Sequence, residues 1–251
     1  MAGNKSRRIG QHRVRVMDDI DDLDAAVAEH VIRSGEQAFS SRGGFRLVLS
    51  GGSSPSGLFA KLAEARFSTR LDWAQTQLYW ADERMVPPAS GESNFGTAQR
   101  AFMQALSMSS YVRIQGELGA TEALTRLQQD LIDFAEPDQH WPALDLTLLG
   151  LGTDGHTASL FPGSSPARSD TPAQIVTANY GDRPAERISM TAPFFNTSRE
   201  ILFIVKGQGK ADAVKASISA DQDPVRWPVH RLHSRGGAID WYLDPQAASK
   251  L

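Results

Sequence analysis

The clearest chemical content of the chain lies at Asp154-Gly155-His156, an acid and a histidine two positions apart behind a glycine-rich turn. An imidazole titrates near pH ~6.5 when unperturbed, and an acid beside it can fix its orientation, so the pair suits a general base that activates water. Three other stretches suit an anion. In Ser50-Gly51-Gly52-Ser53-Ser54-Pro55 the paired glycines free backbone N–H groups ahead of a helical pattern, and small hydroxyls can add hydrogen bonds to a phosphate. Ser54 suits a helix N-cap there and Pro55 the first helical position. Ala81-Asp82-Glu83-Arg84 offers a guanidinium fork at Arg84 and, at Asp82, a carboxylate for sugar hydroxyls or for orienting a partner. Lys206-Gly207-Gln208-Gly209-Lys210 is a further glycine turn with lysines within reach of an anion. Singly, each has a bland reading as a capped turn, a polar loop or surface lysines.

Position raises their weight. Short apolar runs predict strands at Phe45–Leu49, Gln77–Trp80, Leu144–Leu149, Ile201–Val205 and Ala238–Leu243. Helical periodicity covers Leu23–Phe39, Ser56–Phe67, Asn94–Leu106, Thr121–Phe134 and Lys210–Ile218. Near-continuous apolar strands alternating with helices predict a three-layer α/β/α fold with a mostly parallel sheet. Ligands in such folds sit beyond the carboxyl ends of strands, where all four stretches fall. Together they read as a metal-free site for a small phosphorylated substrate, with His156 as base.

Gly150-Leu151-Gly152-Thr153-Asp154-Gly155 also satisfies G-x-G-x-x-G, the dinucleotide fingerprint. That fingerprint needs a long helix starting within the glycines, and Pro162-Gly163 cuts any helix short here. The glycines are read instead as a turn that presents Asp154 and His156.

The 251 residues carry a net charge of −3 and no cysteine. Disulfides, thiolate nucleophiles and cysteine–zinc sites are excluded, and the chain is compatible with a reducing cytoplasm. No basic footprint marks nucleic acid or an anionic membrane, and no apolar run reaches the roughly 20 residues of a membrane helix. Residues 1–12 are read as a flexible tail and 13–251 as one domain. Asp18, Asp19, Asp21, Asp22 and Asp24 precede the first helix without an EF-hand spacing, and complement its N-terminus. His230 and His233 lack a third zinc ligand, and the five tryptophans are assigned to packing.

SGGSSP at 50–55, DER at 82–84, SNFG at 93–96, GLGTDGHTASLFP at 150–162, ERISMT at 186–191 and GQGKADAV at 207–214 follow one another in an order and spacing that resemble the 6-phosphogluconolactonase family. The likeness runs from about residue 14 to WYLDPQAA at 241–248. It implies the NagB/RpiA/CoA-transferase-like fold and hydrolysis of a phosphorylated sugar lactone in the pentose phosphate pathway, without metal or organic cofactor. It implies His156 as base, and Gly51, Gly52, Ser53, Arg84, Arg187 and Lys210 as the residues that hold phosphate and sugar. Lys206 falls where the family tolerates other residues and is not carried over. Asp154 and Asp82 both remain open as the partner of His156.

Glucosamine-6-phosphate deaminases look similar at the DGH turn but carry a glutamate five residues beyond the histidine, where this chain has Phe161, and an aromatic in place of Arg84. An aldose-opening enzyme needs that acid for ring protons, which disfavours the deaminase reading. A non-catalytic sugar-phosphate sensor would keep the phosphate residues but has no use for Asp154 and His156, and a nicotinamide enzyme is a third reading. The expected partner is a small-molecule lactone, and a monomer and a dimer are equally compatible with the sequence.

Overall fold

The computed structural model describes residues 5–52, 54–137, 139–178 and 184–251. In chain order, strands β1 (Lys5–Ile9) and β2 (His12–Val16) precede helix α1 (Ile20–Arg42), β3 (Phe45–Leu49), α2 (Ser56–Ala63) and α3 (Ala65–Ser68). Then come β4 (Thr76–Trp80), β5 (Asp82–Arg84), α4 (Asn94–Ala98), β6 (Tyr111–Val112), α5 (Ala120–Asp133) and β7 (Leu146–Leu149). The chain closes with β8 (Ala173–Thr177), β9 (Glu186–Met190), α6 (Ala192–Phe195), β10 (Glu200–Val205), α7 (Ala211–Ile218) and β11 (Ile239–Leu243).

An eight-stranded sheet in the order β1-β2-β11-β10-β7-β3-β4-β6 is parallel throughout except for β1, which runs antiparallel to β2. Strands β4, β7 and β11 are buried along their whole length and β3 at every position but Arg46, as parallel strands covered on both faces should be. Leu23, Val27 and Val31 of α1 join the same hydrophobic core as Leu47, Leu148, Phe203 and Trp241, each buried large side chain contributing roughly 1.5–3 kcal/mol. From β3 the chain proceeds outward to β4 and β6, whereas from β7 it proceeds the other way to β10 and β11. β3 and β7 are therefore adjacent strands whose connections diverge, the switch point at which a parallel sheet opens a crevice.

A second, antiparallel sheet of order β5-β9-β8 borders that crevice through Asp82, Arg84 and Arg187. Ala81 joins the two sheets: its N–H donates to Leu49 O (2.8 Å) in the large sheet, and its carbonyl accepts from the Met190 N–H (2.8 Å) in the small one. The small sheet was not expected. Its first strand is the charged triplet Asp82-Glu83-Arg84, buried at all three positions.

Residues 5–12 correct the expectation of a flexible tail over 1–12. They belong to a β-hairpin turned at Gly10, and Arg13 and Arg15 of its second strand pair with the fully buried Asp240 of β11. The helix expected over 56–67 breaks at Glu64, whose extended ψ of 140° separates α2 from α3. The helix expected over 94–106 is α4 continued by a π-helical stretch at Gln99–Met103.

α1 is capped by Asp19, whose side chain accepts from the Asp22 N–H at 2.8 Å, and ends at Gly43 with φ 76°. Asp21 pairs with Lys61 and Asp24 with Lys206, so the acidic cluster supplies one cap and two cross-links. His12 Nδ1 accepts from Trp241 Nε1, and His230 is held by the Asp223 N–H and by Ala216 O. Those rings are structural. Among the described residues, His30, Glu200 and Asp240 have metal-like proximity, but Arg13, Arg15, Ser34 and Tyr242 engage them. No helix of the described residues is long and apolar enough to cross a membrane.

Candidate active site

A cleft of about 830 Å³ opens at the switch point. Its walls include Gly51, Gly52, Asp82, Arg84, Asn94, Gly152, His156, Arg187 and Lys210. Loops after β3, β4, β7 and β10 thus converge on one cavity, as their strand-end positions require.

The turn after β7 sets the geometry of the histidine. Gly152 N–H donates to His156 O at 2.7 Å, closing a tight loop, and Gly155 takes φ 91°, the left-handed region that favours glycine. A Cβ on Gly152 would overlap the His156 imidazole, and one on Gly155 would overlap the Trp227 ring. His156 Nδ1 lies 2.6 Å from Asp154 Oδ1, which also accepts the His156 backbone N–H at 3.1 Å. With Nδ1–H donated to the carboxylate, Nε2 carries the lone pair. The Phe161 ring packs 5.1 Å from the imidazole, and Thr157 Oγ1 donates to Gly150 O. No helix follows the glycines, only a bridge between Thr157 and Leu160, as expected of a turn that is not a dinucleotide fingerprint.

Asp154, not Asp82, is the acid beside His156. Asp82 spends its oxygens elsewhere, accepting from Ser159 Oγ at 2.7 Å and Asn94 Nδ2 at 3.1 Å. Arg187 Nη1 stands 4.0 Å from it.

Arg84 and Arg187 are directly opposed in the β5–β9 register, and both are buried, 9 % and 5 % exposed. Like charges opposite one another across a ladder are unfavourable, and carboxylates at the edge of ion-pair distance offset them, Glu92 3.9 Å from Arg84 and Asp82 4.0 Å from Arg187. Arg84 Nη1 donates to Glu92 O (2.7 Å) and Asn94 Oδ1 (2.8 Å), while its buried Nε has no partner among the described residues. Neighbouring Glu83, 1 % exposed, accepts from the N–H groups of Arg84, Asn94 and Phe95 and from Ser93 Oγ, all within 3.0 Å. Burial pushes the Glu83 carboxyl upward and these four donors oppose it. Glu83 thereby caps α4 and fixes Asn94, which bonds both Arg84 and Asp82. Asn94 and Ser159 were not singled out as site residues from the sequence. The signal was there in SNFG and DGHTAS, but their partners Asp82 and Glu83 come from another strand.

After β3, Gly52 adopts φ 83° and Gly51 packs so closely on Asn94 that a Cβ would overlap its amide. Ser53 lies outside the described residues. The capping expected of Ser54 and Pro55 is corrected: α2 starts at Ser56, with Pro55 at the N-cap position and no side-chain cap. After β10, Gly207 takes φ 93° and donates its N–H to both Asp244 oxygens, setting the turn that carries Lys210 into the cleft. Burial lowers the Lys210 ammonium from the usual lysine value, and the Asp154 charge opposes that shift.

Fold and site together define an α/β protein with a cleft walled by two arginines and a lysine and a carboxylate-oriented histidine beside them. Comparison with known proteins places it further. A profile for glucosamine-6-phosphate isomerases/6-phosphogluconolactonase matches residues 18–241, and the chain belongs to that family. The 6-phosphogluconolactonase of Mycobacterium tuberculosis is 33% identical over 246 residues, spanning 95% of this chain and 98% of that protein. That of Aggregatibacter actinomycetemcomitans is 33% identical over 207 residues, 82% of this chain and 87% of its own. The crystal structure of devB protein superposes with a TM-score of 0.82 at 30% identity, covering 95% of this chain and 98% of that one. A monomeric glucosamine-6-phosphate deaminase superposes with a TM-score of 0.80 at 19% identity, over 95% of this chain and 99% of its own, and shares the fold alone.

Proposed function

We propose that this chain hydrolyses 6-phospho-D-glucono-1,5-lactone to 6-phospho-D-gluconate in the pentose phosphate pathway. The observation that carries the reading is the Asp154–His156 pair, whose tautomer leaves Nε2 basic on the wall of a cleft that also holds two opposed arginines. Arg84, Arg187 and Lys210, with Gly51, Gly52 and Ser53, hold the phosphate and sugar. Such positioning converts the attack of water on C1 into an effectively unimolecular event. His156 Nε2 takes a proton from water as its oxygen adds to C1. Backbone N–H groups of a glycine turn stabilise the resulting oxyanion. Collapse of this intermediate breaks the bond from C1 to the ring oxygen, which takes the proton back from the imidazolium. The product acid then ionises. Asp154 keeps the imidazole in the basic tautomer and supports its charge, while Asp82 orders Asn94 and Ser159 beside the arginines.

Phe161 supports hydrolysis over the deaminase reaction, because no carboxylate stands at that position to shuttle ring protons. The test is acid release from freshly prepared lactone, with spontaneous hydrolysis subtracted. Wild type should accelerate it and His156→Ala should not. No acceleration by wild type would end the lactonase reading, and full activity of the alanine variant would end the role of His156.

A further inference from the structure

Lys206 lies outside the residues that the family likeness assigns, yet its contacts tie together three parts of the site's framework. Its ammonium donates to Asp24 Oδ1 at 2.6 Å and to the Ser54 carbonyl at 3.0 Å. Asp24 is on α1 and nearly fully buried, 3 % exposed, and the Lys206 side chain is itself largely covered. Burial raises the Asp24 carboxyl, while the Lys206 bond and charge pull it down. Asp24 also packs against Gly57 in the first turn of α2, so closely that a Cβ there would overlap its carboxylate. The turn after β3 is thus gripped at Ser54 by Lys206 and at Gly57 by Asp24. One residue further on, Gly207 begins the turn that carries Lys210. The turn after β3 makes no side-chain cap of its own to hold the start of α2.

We propose that the Lys206–Asp24 pair is a positioning device for the anion-binding turn after β3, holding it and the Lys210 turn at a fixed separation so that both can engage one phosphate. Lys206 acts through the Ser54 carbonyl and does not touch the ligand. A buried pair is costly to desolvate and adds little net stability, so its contribution lies in geometry. The inference rests on the proposed phosphate role of the Gly51–Ser54 region.

The test uses Lys206→Met, Asp24→Asn and the double variant, with two readouts. Calorimetry gives the Kd of 6-phosphogluconate, and turnover gives kcat and KM for the phosphorylated lactone and for unphosphorylated glucono-1,5-lactone. Loss of one charge-assisted bond predicts a weakening of phosphate-ligand binding on the order of tenfold in each single variant. The double variant should be no weaker than the singles, because one brace is lost in all three. The kcat for the phosphorylated lactone and the kcat/KM for the unphosphorylated lactone should stay within about twofold, which shows that the fold and His156 are intact. Unchanged Kd in Lys206→Met overturns the proposal. Unchanged or tighter Kd in Asp24→Asn overturns it in favour of direct phosphate contact by a freed Lys206. An equal loss on both lactones reduces the pair to a general structural support. If wild type itself fails to bind 6-phosphogluconate, the functional reading fails rather than the brace. Should Asp24→Asn not fold, Asp24→Leu combined with Lys206→Met replaces the pair with apolar groups and predicts the same selective loss.

Discussion

Replacing Asp154 with asparagine isolates the charge next to His156 while keeping its shape. In the structure one oxygen, Oδ1, accepts both the His156 backbone N–H at 3.1 Å and the ring Nδ1–H at 2.6 Å. Two donors at one oxygen favour an amide that leaves its carbonyl in the same place, so the tautomer survives and the charge alone is lost. A hydrogen bond to a charged group is worth about 1.5–3 kcal/mol. The Asp154 side chain is 42% exposed, which screens the interaction and selects the lower end of that range. A loss of about 1.5–2 kcal/mol in stabilising the imidazolium of the transition state corresponds to a roughly 10- to 30-fold fall in kcat. KM for the phosphorylated lactone should not rise, because removing the Asp154 charge leaves Lys210 and the arginines more attractive to phosphate. The assay follows proton release with a pH indicator in weak buffer on lactone generated immediately beforehand. A kcat within twofold of wild type would refute the electrostatic support of the imidazolium by Asp154, and a fall carried entirely in KM would assign Asp154 to binding instead.

Arg84→Ala should raise KM for phosphorylated lactone by about tenfold or more, through loss of a charged partner, and leave kcat/KM for the unphosphorylated lactone unchanged; equal effects on both substrates would remove Arg84 from the phosphate subsite. Gly155→Ala must place a Cβ at φ 91° against Trp227, so it should cost about 1–3 kcal/mol in urea-melt stability and lower kcat by displacing His156. A silent variant would show that the turn is not fixed by that contact. His12 is held down to about 4, chiefly by burial and secondarily by the nearby His230 charge. The unfolded state therefore takes up this proton before the folded state does, and stability is lost as pH falls from about 6.5 to 4, by about 3 kcal/mol in full. His12→Asn should flatten this part of the acid-stability curve in urea melts at pH 7 and 4.5, and an unaltered acid loss would locate the sensitivity elsewhere.

The strand ends were legible because parallel strands covered on both faces are near-continuously apolar, and Ile201–Val205, together with Phe45–Leu49 apart from Arg46, declare themselves by that alone. The glycine turn at 150–155 could be separated from a dinucleotide fold by Pro162-Gly163, a local feature. What escaped was held by distant partners. The strand at 5–9 lay inside the expected tail over 1–12; it pairs with 12–16, whose Arg13 and Arg15 bind Asp240, more than 220 residues away. The buried strand Asp82–Arg84 has no apolar alternation because Ser93, Asn94, Phe95 and Ser159 satisfy its carboxylates. For the same reason, residue type alone left Asp82 and Asp154 equivalent beside His156. Only the loop closed by Gly152 and His156 distinguishes them.

The backbone of Ala81 links two sheets at once, its N–H bonding to Leu49 and its carbonyl to Met190. A one-residue slip of β4 would reverse the faces of Asp82 and Arg84 and break a bond in each sheet. Alignment errors in either sheet are therefore transmitted to Arg84 on the wall of the cleft. During refolding, ligand affinity should return only after both sheets have locked, lagging behind the recovery of secondary structure.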